Sequence, residues 1–234
     1  HSDHRRQRQM CIRDRNTETD VLYIDLSMNV FKKTRRGILS ATHTPYDPPG
    51  MAAPLLLEGK LILQELCRRS FSWDQALPAD LEPRLNDWIE RLKRSYVSVP
   101  RCYLDSIDFE VKRVEIHYFA DSSSVAYSAC AYMRYIGGEN EENHYAVKFV
   151  LGKCRVLPLK PRMTIPRAEL AAAVAASRLS ANLKTELIPE LTWPVDEIFW
   201  SDSKIVLGQI KNSHKKFDMY ILNRVETILE SSRS

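Results

Sequence analysis

The sequence predicts a mixed α/β (α+β) chain, a small helical module followed by a mixed sheet flanked by helices, on three observations. Apolar residues recur at helical spacing over 53–69 and again over 81–96. After Arg101 the period changes: Val114, Ile116, Tyr118 and Ala120 alternate with Glu115, His117, Phe119 and Asp121, which is a strand ending in a carboxylate. An alanine-rich helix beginning near Thr164 then suggests close packing against a sheet.

The composition sets outer limits. The 234 residues, 44% hydrophobic and 27% charged, suffice for one large domain or two small ones with real cores. No apolar run approaches bilayer length and no signal-peptide pattern is present, so an intracellular protein without membrane contact is expected, cytoplasmic or nuclear. Cys11, Cys67, Cys102, Cys130 and Cys154 are widely spaced, with no C-x-x-C pair, and read as free thiols in a reducing compartment. The net charge of +4 permits a nucleic-acid partner without requiring one.

Most of that charge lies in the first fifteen residues. Arg5-Arg6-Gln7-Arg8-Gln9-Met10-Cys11-Ile12-Arg13-Asp14-Arg15 has no apolar period and would suggest a basic arm. It also resembles, codon for codon, the translation of a common sequencing adapter, so 1–15 is set aside as an adapter-derived, disordered tail. The domains expected are then 16–101, helical, and 102–234, sheet-based.

In the first domain, Val21 to Leu26 is a strand candidate and Thr34 to Ser40 opens a short helix. Pro45, Pro48, Pro49 and Gly50 force a rigid turn. The helix from Ala53 to Arg69 carries Leu56, Leu57, Leu61, Leu63, Leu66 and Cys67, and the helix from Leu81 to Tyr96 carries Leu85, Trp88, Ile89 and Leu92. A loop around Trp73 joins them. Nothing here carries chemistry.

In the second domain, Ser122-Ser123-Ser124 turns the chain into a strand over 125–135, Gly137-Gly138-Glu139-Asn140 forms the next turn, and His144 to Val156 supplies a third strand with a bulge expected at Gly152. In the helix after Thr164, Glu169, Ala173, Ala176 and Ser180 share a face, and a carboxylate beside alanines needs a partner. A short buried strand, Glu197 to Trp200, delivers Asp202 to its tip and passes into a helix with Ile205, Val206, Leu207 and Ile210, followed by an amphipathic segment over 217–229. As residues alone, Asp202 and Ser203 serve equally as N-caps of that helix, and Glu169 serves equally as a favourable first-turn charge.

Several strings occur in the order seen in BEL/Pao-type retrotransposon polyproteins: Thr34-Arg35-Arg36-Gly37-Ile38-Leu39-Ser40, Tyr46-Asp47-Pro48-Pro49-Gly50-Met51-Ala52-Ala53-Pro54, Gly59-Lys60-Leu61-Ile62-Leu63-Gln64-Glu65-Leu66, Trp73-Asp74 and Val99-Pro100-Arg101. The chain from Asn16 onward resembles the family labelled Pao retrotransposon peptidase, departing at Pro49 where the family has Leu. The resemblance implies that 16–101 corresponds to reverse-transcriptase thumb and connection segments and that 102–234 resembles the ribonuclease H fold. It further implies a catalytic, metal-binding role for Asp121, Glu169 and Asp202, with two Mg²⁺ (or Mn²⁺) ions as cofactors and an RNA–DNA hybrid as partner. Ser122, Ser123, Ser203 and Lys204 are candidate backbone or sugar contacts.

Oxygen donors converging from separate elements suit magnesium, and two such ions activate a water and neutralise a leaving oxygen. The resemblance also implies an upstream reverse transcriptase, a downstream integrase and a fourth carboxylate after 217–230, without which ribonuclease activity is expected to be weak or absent. The alternatives are a non-catalytic connection module gripping the hybrid and, following the family label, an aspartic peptidase. The latter needs an Asp-Thr/Ser-Gly loop, and the nearest string, Asp202-Ser203-Lys204, lacks the glycine.

Overall fold

A computed structural model describes residues 15–16, 18–27, 31–104, 107–137, 144–160, 162–212 and 216–233. The tail over 1–14, Cys11 and the expected turn over 138–140 lie outside them. The chain divides into two compact units, the second starting at Ile107.

In the first unit, β1 (Arg15–Asn16), β2 (Val21–Ile24) and β3 (Val97–Pro100) form an antiparallel sheet with β2 in the middle. Three helices follow the apolar periods: α1 (Arg35–His43), α2 (Ala53–Arg68) and α3 (Glu82–Arg94). The Thr34 side chain caps α1 by accepting from the Gly37 N–H. In the proline-rich turn, Gly50 takes a φ of 78°, which favours glycine, and the Asp47 carboxylate accepts from the Met51 and Ala52 N–H groups ahead of α2. Ile38, Ile62, Leu66, Leu85, Trp88 and Leu92 fill the core. The Trp88 Nε1–H donates to the Leu55 carbonyl at 2.8 Å, so the indole is buried without an orphaned donor. Trp73 lies beneath the Arg35 guanidinium, 4.0 Å from its ring centre. β2 ends before Leu26, which turns into the core instead.

The second unit holds a four-stranded mixed sheet of β4 (Val111–Ser122), β5 (Ala126–Gly137), β6 (Tyr145–Val156) and β7 (Val195–Trp200), in the order β6-β5-β4-β7. Antiparallel pairing joins β4 to β5 and β5 to β6, while β7 lies parallel to β4. α4 (Ile165–Glu186) crosses from one sheet edge to the other and packs on β4 and β5; α5 (Lys204–Lys211) and α6 (Met219–Arg233) pack against α4. Alternation decides the faces. Val114, Ile116 and Tyr118 of β4 are buried, and Ala168, Ala172, Ala176 and Ser180 allow α4 to come close.

Two expectations need correcting. The strand over 197–200 is not buried: β7 is a sheet edge, and Phe199 and Trp200 are 43% and 50% exposed. The irregularity in β6 falls at Val150 rather than Gly152, because Ala131 pairs with Leu151 and Tyr132 with Phe149, whereas Gly152 pairs normally with Cys130.

Candidate active site

Parallel pairing of β7 with β4 sets Phe119 opposite Trp200, so the C-terminal ends of both strands emerge together. Asp121 and Asp202 each stand two residues beyond that pair. Both are exposed, and both line one open depression of about 530 Å³ shared with Phe119, Ser128, Cys130, Trp200 and Ser201. Burial pushes the Cys130 thiol above its usual range, so it is not the activated group there. Phe119 and Trp200 stack with centroids 6.1 Å apart and planes 9° from parallel, forming an aromatic wall beside the aspartates.

Glu169 lies in the second turn of α4, half-buried. Its Oε2 accepts a 2.5 Å hydrogen bond from the Ser203 hydroxyl. That hydroxyl in turn accepts from the Val206 N–H at 3.2 Å and caps α5. The cap is therefore Ser203, which leaves the neighbouring Asp202 carboxylate free of that role. Glu169 does not line the depression but is tied to the residue next to Asp202. Among the described residues no three of His, Cys, Asp and Glu stand close enough to hold a metal ion. The donor set is nevertheless all carboxylate oxygen, the chemistry that magnesium or manganese prefers over zinc.

The other candidate contacts are placed differently. Ser123 builds the turn, accepting from the Val125 and Ala126 N–H groups. The Ser122 hydroxyl is enclosed and has no partner among the described residues. Lys204 is exposed at the first position of α5.

Beside the site lies a cluster that sequence reasoning passed over. Glu115, 7% exposed, pairs with Arg113 at 3.0 Å and Arg134 at 3.1 Å. Burial pushes its carboxyl up, but the hydrogen bond to His117 and the Arg134 and Arg113 charges outweigh this and hold it below the usual range. The Trp200 Nε1–H donates to His117 Nδ1 at 3.0 Å. Indole is only a donor, so His117 is the neutral Nε2–H tautomer, donating to Glu115 Oε2 at 3.0 Å. This chain of contacts fixes the last residue of β7, just before Ser201 and Asp202. On the α4 side, Glu197 accepts from Tyr118 at 2.7 Å and Ser180 at 2.6 Å and pairs with Lys184 at 3.2 Å. The alternation of Glu115 and His117 was a visible signal; their partners depend on cross-strand register, which the sequence does not display.

Residues 34–203 match the model of the Pao retrotransposon-like RNaseH-like domain. The chain belongs to this family. The match spans Asp121, Glu169 and Asp202, and the sheet order of the Pao-like chain, with its crossing helix, is that of a ribonuclease H-like fold. Among solved structures, RNase H1 from the halophilic archaeon Halobacterium salinarum NRC-1 aligns at 17% identity over 51% of this chain and 76% of its own, with a TM-score of 0.30. No curated protein matches the sequence. Among the described residues, no helix of this Pao-like chain is long and apolar enough to cross a membrane.

Proposed function

We propose that this chain supplies the ribonuclease H-like nuclease of a retrotransposon Pol polyprotein, hydrolysing the RNA strand of RNA–DNA hybrids during reverse transcription. The observation that carries the reading is the shared depression of Asp121 and Asp202, reached from two parallel strands. Asp121, Glu169 and Asp202 would hold divalent cations, which supply an activated water and charge neutralisation at the leaving oxygen. Ser203 holds one oxygen of Glu169 and leaves the other for a cation. The exposed rings of Phe119 and Trp200 suit stacking against a base or sugar at the same place.

The test has two parts. In this chain, Mg²⁺ or Mn²⁺ raises the melting temperature, and Asp121→Asn with Asp202→Asn removes that rise. In the polyprotein segment containing it, Asp202→Asn lowers RNA-strand cleavage by at least about 100-fold, the several kcal/mol expected of a metal's charge stabilisation. Undiminished cleavage by a folded Asp202→Asn protein would sink the proposal. A second reading, a non-catalytic module gripping the hybrid, is favoured by the lack of three converging ligands among the described residues. It predicts that Asp202→Asn leaves replication of the parent element unchanged.

A further inference from the structure

A second concavity lies in the same unit, between β6, α4 and α6. Its floor is apolar, formed by Ala171, Val174, Ala175 and Leu179 along one helical stripe of α4. Its rim carries Lys153, Arg155, Arg178 and Arg224 and no carboxylate among the described residues, around a volume of about 240 Å³. Lys153 and Arg155 are two apart on β6 and so project from one face of the strand, the face on which α4 packs. Arg178 reaches the groove from α4, and Arg224 from α6.

The cations of this groove differ in how they are held. Arg224 is held in place, donating to the Tyr220 carbonyl at 3.0 Å with its guanidinium 3.4 Å from the Tyr220 ring centre. Among the described residues, the side chains of Lys153, Arg155 and Arg178 form no ion pair or hydrogen bond, although the exposed side chains of Arg36, Arg68 and Arg91 are matched to carboxylates. Cations gathered without acids repel one another and are stabilised when an anion enters. Arg offers a planar fork suited to phosphate oxygens, and Lys a mobile point charge. The apolar floor lowers the local dielectric beneath them.

We propose that this groove binds the phosphodiester backbone of the nucleic acid on which the chain acts, a contact separate from the Asp121–Asp202 depression. The inference rests on the proposed hybrid-cutting function for the identity of its ligand. Charge complementarity selects a polyanion, and the phosphate oxygens of the backbone are the part of a nucleic acid that carries that charge.

The experiment measures binding of the whole chain to a labelled RNA–DNA hybrid of fixed sequence in EDTA, across roughly 50–200 mM salt. The triple variant Lys153→Gln, Arg155→Gln, Arg178→Gln is expected to bind at least about 10-fold more weakly, and its plot of log affinity against log salt to flatten by about one per lost phosphate contact. Arg155→Lys with Arg178→Lys retains most of the salt slope, because the charges remain. A charge-matched control on α3, Arg91→Gln, Lys93→Gln and Arg94→Gln, keeps the wild-type slope. A folded triple variant with wild-type affinity and slope overturns the proposal, as does an equal loss in the control. The two proposals fail separately: a chain that binds through the groove but never cleaves in its polyprotein defeats only the nuclease, and one that cleaves with no dependence on the groove defeats only the groove.

Discussion

Two pairs of carboxylates, one within β4 and β7 and one at their C-terminal ends, are treated in opposite ways. Glu115 of β4 and Glu197 of β7 lie within the sheet, and the chain supplies their partners: Arg113, Arg134 and His117 for one, Tyr118, Ser180 and Lys184 for the other. Asp121, further along β4, and Asp202, two residues past the end of β7, are exposed; among the described residues Asp121 accepts only from the Ser122 N–H at 2.6 Å, and neither forms an ion pair. A buried carboxylate without partners is costly, so those inside must be compensated by the fold. Those at the strand ends cost little in water and remain available to a cation from outside. The difference separates carboxylates that hold the structure from carboxylates that the structure presents.

The largest effect on stability is expected at Glu115. Glu115→Gln leaves Arg113 and Arg134 without their shared acid, and since both arginines are about a third exposed the loss should be about 1–3 kcal/mol, below that of a fully buried pair. The same residue sets an acid sensitivity. Its folded-state pKa is lowered, so its contribution is present above the unfolded value of about 4.3 and disappears as pH falls through the folded value. Thermal unfolding followed from neutral pH downward should therefore steepen below about pH 4 in the wild type and less so in Glu115→Gln. Equal slopes would place Glu115 with the presented carboxylates instead.

Ser203→Ala tests the link between the two sets. It removes the α5 cap, worth about 1 kcal/mol, together with the hydrogen bond that holds Glu169. If Glu169 belongs to the cation site, the concentration of Mg²⁺ or Mn²⁺ needed to raise the melting temperature should grow by about 10-fold, as for the loss of an orienting hydrogen bond to a ligand. A stability loss with unchanged metal response would leave Ser203 as a cap only.

The sequence carried the element order well, because period is local: the helix over 53–68 and the strand over 111–122 follow from neighbours in the chain, whereas Asp202 and Ser203 are level as caps in sequence and only the structure gives the α5 cap to Ser203. It carried the three acids as positions on elements. It did not carry what surrounds them. That Trp200 is half exposed depends on β7 being a sheet edge, which is a matter of strand order. That Glu115 meets Arg134 depends on β4–β5 register, nineteen residues away in sequence. The cationic groove likewise needs β6, α4 and α6 assembled before Lys153, Arg178 and Arg224 become neighbours.

The smallest effect has the opposite sign. Asp121 and Asp202 share a depression with no cationic side chain in its lining among the described residues, so neutralising one relieves repulsion and breaks no contact there beyond a hydrogen bond to the adjacent backbone. Asp121→Asn should therefore leave stability within about 0.5 kcal/mol of wild type without divalent cations, on the stabilising side. With saturating Mg²⁺ or Mn²⁺ the order should reverse, because only the wild type gains the linkage free energy of a bound ion, about 2.7 kcal/mol at a hundredfold excess over Kd. Melting curves of both proteins with EDTA and with each cation measure both halves. An Asp121→Asn protein that melts well below wild type in EDTA would show that Asp121 holds the fold as Glu115 does, and the contrast between the two pairs would collapse.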